Sequence, residues 1–170
     1  AKRLINLQKK RKAREEEHVF VVEGIRMLKE VPPEALLEVY VSEGFYEKEK
    51  QSVDVVCGGS EIYPEIFSEQ VFSSVSDTQH PQGVLCVVKQ REQSGNIEKF
   101  WMGDKSKSEE PLLLFLDNLQ DPGNLGTIIR TAEAAGVTGI ILSSDCVDIY
   151  NPKTIRSTMG SVFRMPFAYV

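Results

Sequence analysis

Apolar residues along this chain fall into short runs whose spacing alternates between strand-like and helix-like periods. In the first half, His18 to Val22 (HVFVV), Leu36 to Val41, Val53 to Cys57 and Gly83 to Lys89 (GVLCVVK) are rich in β-branched residues and predict four strands. Helical stretches are expected over 4–14, over Ile25 to Val31 (stopped by Pro32-Pro33), near 44–51 and near 64–68. This alternation predicts a small α/β sandwich of about ninety residues. In the second half, Leu112 to Leu116 is an unbroken apolar run, read as a strand buried on both faces. A turn cluster follows at Asp121-Pro122-Gly123-Asn124. Leu125, Ile128, Ile129 and Ala132 then recur at helical spacing up to the stop at Gly136. Ile140 to Ser143 forms the next strand, and Asn151-Pro152 opens a helix carrying Lys153, Thr154, Arg156 and Ser157. A last strand is expected over Val162 to Val170. The strand–loop–helix–strand order is a crossover unit of a parallel sheet, in which ligands sit beyond the carboxyl ends of the strands. Asn118, Asp121, Asn124 and Arg130 belong to that end.

Between the two patterned halves, residues 91–110 (REQSGNIEKFWMGDKSKSEE) are polar, charged and glycine-containing. They read as a linker between a domain at 1–90 and a domain at 111–170. The apolar island Phe100-Trp101-Met102 within them predicts a short helix packed on one domain.

Charge changes the picture in its distribution, not its sum. The net charge is −5, yet seven Lys or Arg and no acid lie between Ala1 and Arg14, followed at once by Glu15-Glu16-Glu17. Lys9, Lys10, Arg11, Lys12 and Arg14 are therefore candidates for phosphate contact, against the alternative of a solvated terminus. The three cysteines, Cys57, Cys86 and Cys146, are isolated, which fits reduced thiols of a cytoplasmic protein and neither a disulfide framework nor a metal site. No apolar run reaches membrane-spanning length.

Two chemistries suit a glycine-containing loop between a strand and a helix. Gly123-Asn124-Leu125-Gly126 could cradle phosphate, but neither GK[ST] nor G-x-G-x-x-G is present. Asp145, read as ending the second strand about twenty residues on, keeps a nicotinamide-dependent oxidoreductase open as an alternative. The spacing Asn124, Gly126, Arg130 is more specific, because Arg130 falls off the apolar stripe of its helix.

The segment DNLQDPGNLGTIIRTAEAAG at 117–136 resembles the first signature of the SpoU-type RNA ribose 2′-O-methyltransferases, a branch of the SPOUT superfamily with a knotted catalytic domain. DIYNPKTIRSTMGSVFRMP at 148–166 resembles the segment that follows it. KKRKAREEEHVFVVEG and SDTQHPQGVLCVV resemble that family's ribosomal-protein-like RNA-binding domain. The resemblance implies a ribosomal-protein-like α/β sandwich followed by the N-terminal part of a parallel-sheet SPOUT domain. It also implies S-adenosylmethionine as methyl donor and structured RNA, rRNA before tRNA, as substrate. A homodimer is implied for the full-length protein, with no membrane attachment. Arg130 and Asn124 are the implied catalytic residues; Lys153 and Arg156 are candidate phosphate contacts or, equally, solvated charges on a surface helix. A glycine- and glutamate-containing loop and a Ser-Leu-Asn stretch, which hold the cofactor in the family, are not found, so cofactor contacts are expected C-terminal to Val170 and this chain alone is expected to be inactive. A non-catalytic RNA-binding module stands as the second reading.

Overall fold

The computed structural model describes residues 1–91 and 111–170. It divides into two compact units, Ala1–Gln90 and Arg91–Val170. The expected linker from 92 onward, and the island at 100–102, lie outside the described residues.

The first unit is built on a four-stranded sheet. Its strands are β1 (Val19–Glu23), β2 (Leu36–Ser42), β3 (Glu65–Phe67) and β4 (Val84–Lys89), in the order β1-β4-β2-β3. β4 runs antiparallel to both β1 and β2, and β3 runs parallel to β2. The helices are α1 (Lys2–Lys9), α2 (Arg11–Glu17), α3 (Ile25–Glu30), α4 (Glu43–Gly59) and α5 (Glu69–Val75). Leu4 and Leu7 of α1, and Phe72 and Val75 of α5, close over Val19, Val21, Leu85 and Val87 on one sheet face. The alternate residues Phe20, Val22, Cys86 and Val88 are buried as well, so both faces are covered.

Three expectations are corrected in this unit. The run Val53 to Cys57 is the last part of α4, not a strand. Only Val53 and Cys57, four residues apart on one helix face, are buried, while Val55 is 70% exposed. β-branched composition suggests a strand there; tertiary burial at helical period decides otherwise. Residues 65–67 form the edge strand β3, and the helix begins only after Ser68, whose hydroxyl accepts from Val71 N–H. The basic stretch 4–14 is two helices, because Lys10 adopts an extended conformation (φ −119°, ψ 116°) between α1 and α2.

That break removes Arg14 from the exposed basic arm. Its side chain is 3% exposed, and its guanidinium donates to the carbonyls of Leu7 (2.7 Å) and Gln8 (3.1 Å) at the end of α1. Helix carbonyls left over at a C-terminus need such a donor. Arg14→Ala is expected to destabilise the chain by about 2–3 kcal/mol, the scale for hydrogen bonds to a charged group and for buried acceptors left unpaired. Chemical denaturation of wild type and variant measures it; a loss below about 0.5 kcal/mol would return Arg14 to the surface set.

The second unit carries a three-stranded parallel sheet, β5 (Leu113–Leu116), β6 (Gly139–Leu142) and β7 (Phe167–Tyr169), in that order. Helix α6 (Pro122–Ala134) connects β5 to β6, and α7 (Pro152–Thr158) with a 3-10 turn at Ser161–Phe163 connects β6 to β7. Leu125, Ile129, Ile140, Leu142, Ile149 and Ile155 are almost fully buried between these layers. Asn151 caps α7 with Pro152 in its first turn, as the sequence predicts, and Gly136 past α6 has a positive φ of 78°. β5 is a half-buried edge strand with Phe115 58% exposed, not a strand covered on both faces. The last strand is only three residues long, since Gly160 (φ 95°) turns the chain into the 3-10 segment first. The cluster 121–124 is not a free turn but the cap and first turn of α6.

Candidate active site at the carboxyl end of the parallel sheet

The loop leaving β5 is fixed by polar contacts to the loop leaving β6. Asn118 sits in the left-handed region (φ 49°), and its N–H donates to Ser143 Oγ at 2.9 Å. Gln120 Nε2 donates to Asn118 Oδ1 (2.8 Å) and to the carbonyl of Asp145 (2.6 Å). Leu119 N–H donates to the buried Cys146 sulfur, which lies 3.4 Å from the carbonyl of Leu116. Asp145 lies in a turn three residues past the end of β6, so it is not a strand-end acid of the nicotinamide-binding kind. The composition of this network is visible in the sequence; its pairing across the two loops is not, because those partners lie 25 to 30 residues apart.

Asp121 starts α6. Its Oδ1 accepts from Asn124 N–H at 2.7 Å, and its Oδ2 lies 3.7 Å from Lys153 Nζ at the start of α7. The cap hydrogen bond, then the Lys153 charge, hold the Asp121 carboxyl below the usual carboxylate range. A depressed folded-state pKa stabilises the fold fully above the ordinary carboxylate pKa, and that contribution is lost as pH falls through the folded value. Asp121→Asn keeps a capping oxygen and removes the charge. The variant is expected to show a smaller fall in melting temperature between pH 6 and about pH 3 than wild type. Equal slopes in thermal denaturation across that range would remove Asp121 from the acid response.

Helices α6 and α7 touch closely at Gly126. A β-carbon there would lie 2.6 Å from the Thr154 carbonyl and still closer to Ser157 Cβ. Only glycine admits this approach, which places Asn124 on the first turn of α6 and Lys153 on the first turn of α7 at the same end of the pair. Both side chains are exposed, as is Arg130. Six residues at 100° each put Asn124 and Arg130 about 120° apart around α6 and about 9 Å apart along it. They project from different sides and different turns of α6, not from one stripe. Arg156 is half-buried and already engaged. Below them, Glu133 pairs with Arg164, which lowers the Glu133 pKa. Arg91 donates its backbone N–H to the Tyr150 hydroxyl (3.1 Å) and its guanidinium to the Phe163 and Met165 carbonyls. Burial pushes the Tyr150 hydroxyl up to about 12.

In the first unit, Lys9, Lys10, Arg11 and Lys12 are exposed. Arg11 meets Glu15 at 2.6 Å and Lys12 meets Glu16 at 3.7 Å, each one helical turn on. Half of the arm's charge is thus matched by the acidic run that follows it. Among the described residues no group of His, Cys, Asp and Glu has the arrangement of a metal site, and no helix is long and apolar enough to cross a membrane.

Comparison with known proteins gives this geometry a lineage. Residues 111–170 match the SpoU rRNA Methylase family, and residues 1–86 match the MRM3-like substrate binding domain. The 23S rRNA (guanosine(2553)-2′-O)-methyltransferase RlmP of Bacillus subtilis is 34% identical over 158 residues, covering 92% of this chain and 56% of that protein. Human rRNA methyltransferase 3, mitochondrial, is 41% identical over 91 residues, 54% of this chain and 21% of its own. The AdoMet-bound rRNA methyltransferase of Sinorhizobium meliloti superposes over 99% of this chain and 60% of its own, with a TM-score of 0.77 at 30% identity. The chain spans less than two thirds of the length of each of these relatives. With an MRM3-like substrate binding domain ahead of the capped α6 and its Asn124–Arg130 spacing, the chain belongs to the SpoU rRNA methylase family.

Proposed function

We propose that the protein containing this chain transfers a methyl group from S-adenosylmethionine to a ribose 2′-oxygen of structured RNA, rRNA before tRNA. The observation that carries the reading is α6, capped at the carboxyl end of a parallel sheet and exposing Asn124 and Arg130 within the residues that match the SpoU family. The relatives' names support the 2′-oxygen and rRNA, and an AdoMet-bound neighbour supports the donor.

When bound, S-adenosylmethionine supplies an electrophilic methyl group. The described strand-end groups do not fit it as a cradle: Asn118, Gln120, Ser143 and Cys146 are hydrogen-bonded within their own network. Cofactor contacts are therefore assigned to none of these side chains.

The chain's own residues act on the RNA. A ribose hydroxyl is a weak nucleophile that must lose its proton in or near the transition state. An arginine side chain is too weak a base to take that proton, which leaves to water, so the role of Arg130 is to hold the adjoining phosphate and to stabilise the alkoxide as it develops. Asn124 orients the ribose through its amide. Lys153 exchanges its 3.7 Å contact with Asp121 for a phosphate oxygen. In the first unit, Lys9, Lys10, Arg11 and Lys12 add affinity without sequence preference. The same reading makes residues 1–90 an RNA-binding domain joined through 91–110 to the methyltransferase domain, and the parent protein a cytoplasmic homodimer.

Transfer of tritiated methyl from S-adenosylmethionine to protein-free ribosomal RNA by the full-length protein tests the activity. RNA binding with no methyl incorporated would favour the non-catalytic module. The arm has its own test. Replacing Lys9, Lys10, Arg11 and Lys12 by glutamine is expected to lower affinity for unrelated RNAs alike. The log affinity–log salt slope should flatten by roughly 0.7 for each single-strand phosphate that the arm no longer neutralises. An unchanged slope would mark the arm as a solvated terminus.

A further inference from the structure

We propose that the first unit holds a recess that takes one unstacked nucleobase of the RNA, at the junction of β2 with α4 and of the 76–83 loop with β4. The inference rests on the RNA substrate proposed above and locates a contact that the family match leaves unplaced.

The recess has a volume of about 320 Å³ and is lined by Phe45, Lys48, Glu69, Phe72, Pro81 and Gln82, with backbone from Gly44 and Gly83. That volume is at the small end of the range of about 300–1,000 Å³ for ligand sites. Two phenyl rings contribute apolar wall. Phe72 is fully buried, and Phe45 is half-buried with its ring against Gly83, where a β-carbon would come within 2.5 Å. Gly83 has a φ of 78°, so both the conformation and the ring's approach require glycine.

The 76–83 loop, which brings Pro81, Gln82 and Gly83 to the lining, is held from below. Glu23 ends β1, is 6% exposed, and gathers the loop onto its carboxylate. Ser76 Oγ lies 3.0 Å from both of its oxygens, Thr78 Oγ1 donates at 3.0 Å and Gln82 N–H at 2.9 Å. A buried carboxylate with this many donors is satisfied and fixed in place. The loop it fixes nevertheless leaves Gln79, His80, Pro81 and Gln82 exposed. The same bonds that satisfy the buried Glu23 hold this exposed polar loop in one conformation. On a rigid scaffold, such a loop is where contacts are made.

The charge of the recess selects base over phosphate. Lys48 is the one cation among the described lining residues, and the Glu69 carboxylate is already occupied by Gly44 N–H at 2.9 Å. Together they leave the site near neutrality, which disfavours a bound anion. A neutral planar ring with a polar edge is what the lining accommodates: a π-face against Phe45, and donors and acceptors toward Gln82 and the loop backbone. Unstacked bases of RNA loops are recognised in this way, stacked on aromatic side chains and bonded at their edges.

Ultraviolet crosslinking of the 170-residue chain to protein-free ribosomal RNA, with the modified peptides mapped by mass spectrometry, gives the first readout. Nucleotide adducts are expected on peptides carrying Phe45 or residues 81–83. Binding measured by filter retention gives the second. Pro81→Trp fills the recess from an exposed position and is expected to weaken binding by about tenfold, within the range for one stacked base. Its salt slope should stay at the wild-type value, unlike that of the arm variant, because every phosphate contact is kept. A thermal melt close to that of wild type confirms that the variant is folded; Gln82→Ala, which keeps the loop's backbone bond to Glu23, serves if it is not. RNA binding with adducts confined to other peptides, or unchanged affinity in the folded variant, overturns the recess while sparing the RNA reading. No RNA binding by wild type overturns both.

Discussion

Alanine at position 130 is expected to lower methyl transfer by the full-length protein by about 10²–10⁴-fold, the usual weight of a positioned catalytic group. The expectation comes from where α6 puts the residue. Leu125, Ile129 and Ala132 face the core, whereas Arg130 lies on the exposed face of the helix with Thr127 and Thr131. Its removal therefore empties no buried space, and the melting temperature should move little. Arg130→Lys is expected to fail nearly as badly, since a point charge cannot reproduce two parallel N–H bonds to a phosphate. The expected kinetic signature is a fall in kcat and kcat/KM together, which marks an interaction made in the transition state. A rise in KM alone would make Arg130 an RNA anchor. Activity within threefold of wild type would remove it from the site.

What the sequence makes legible depends on how local each cause is. The N-cap Asn151 with Pro152, the stop at Gly136 and the strand expected over 83–89 are read from neighbours within a turn or two, and all three are present, the strand as Val84–Lys89. Val53 to Cys57 misleads because β-branched composition is local, while burial of Val53 and Cys57 alone is set by the sheet beneath them. In sequence, Arg14 is one more cation in a basic run. Its buried role exists only because Lys10 breaks the helix and brings the guanidinium back onto Leu7 and Gln8. In the candidate site, the signature at 117–136 is readable as a motif. The Asp121–Lys153 pair is not, since its members are 32 residues apart and meet only through helix packing. The same holds for Glu23, whose loop partners lie 53 to 59 residues downstream.

That helix packing is the basis of the other large effect. Gly126→Ala is expected to destabilise the chain by about 2 kcal/mol, although alanine is the better helix former by about 1 kcal/mol. The added carbon would meet the Thr154 carbonyl at 2.6 Å and the Ser157 main-chain carbon at 3.0 Å. These are backbone atoms, so relief requires moving α7 as a body, and α7 is anchored by the fully buried Thr154 and Ile155. Gly58→Ala supplies the opposite sign within the same chain. It lies in α4, a β-carbon there meets nothing within 4 Å, and the substitution should be neutral or stabilising by up to about 1 kcal/mol. Denaturant unfolding of the two variants checks both. A Gly126→Ala chain as stable as wild type would mean that α6 and α7 do not touch at this point. The displacement of α7 also moves Lys153 relative to Asp121 and Asn124, because those residues are placed only by the two helices that Gly126 joins. Methyl transfer in the full-length Gly126→Ala protein should then fall even at temperatures where the variant remains folded.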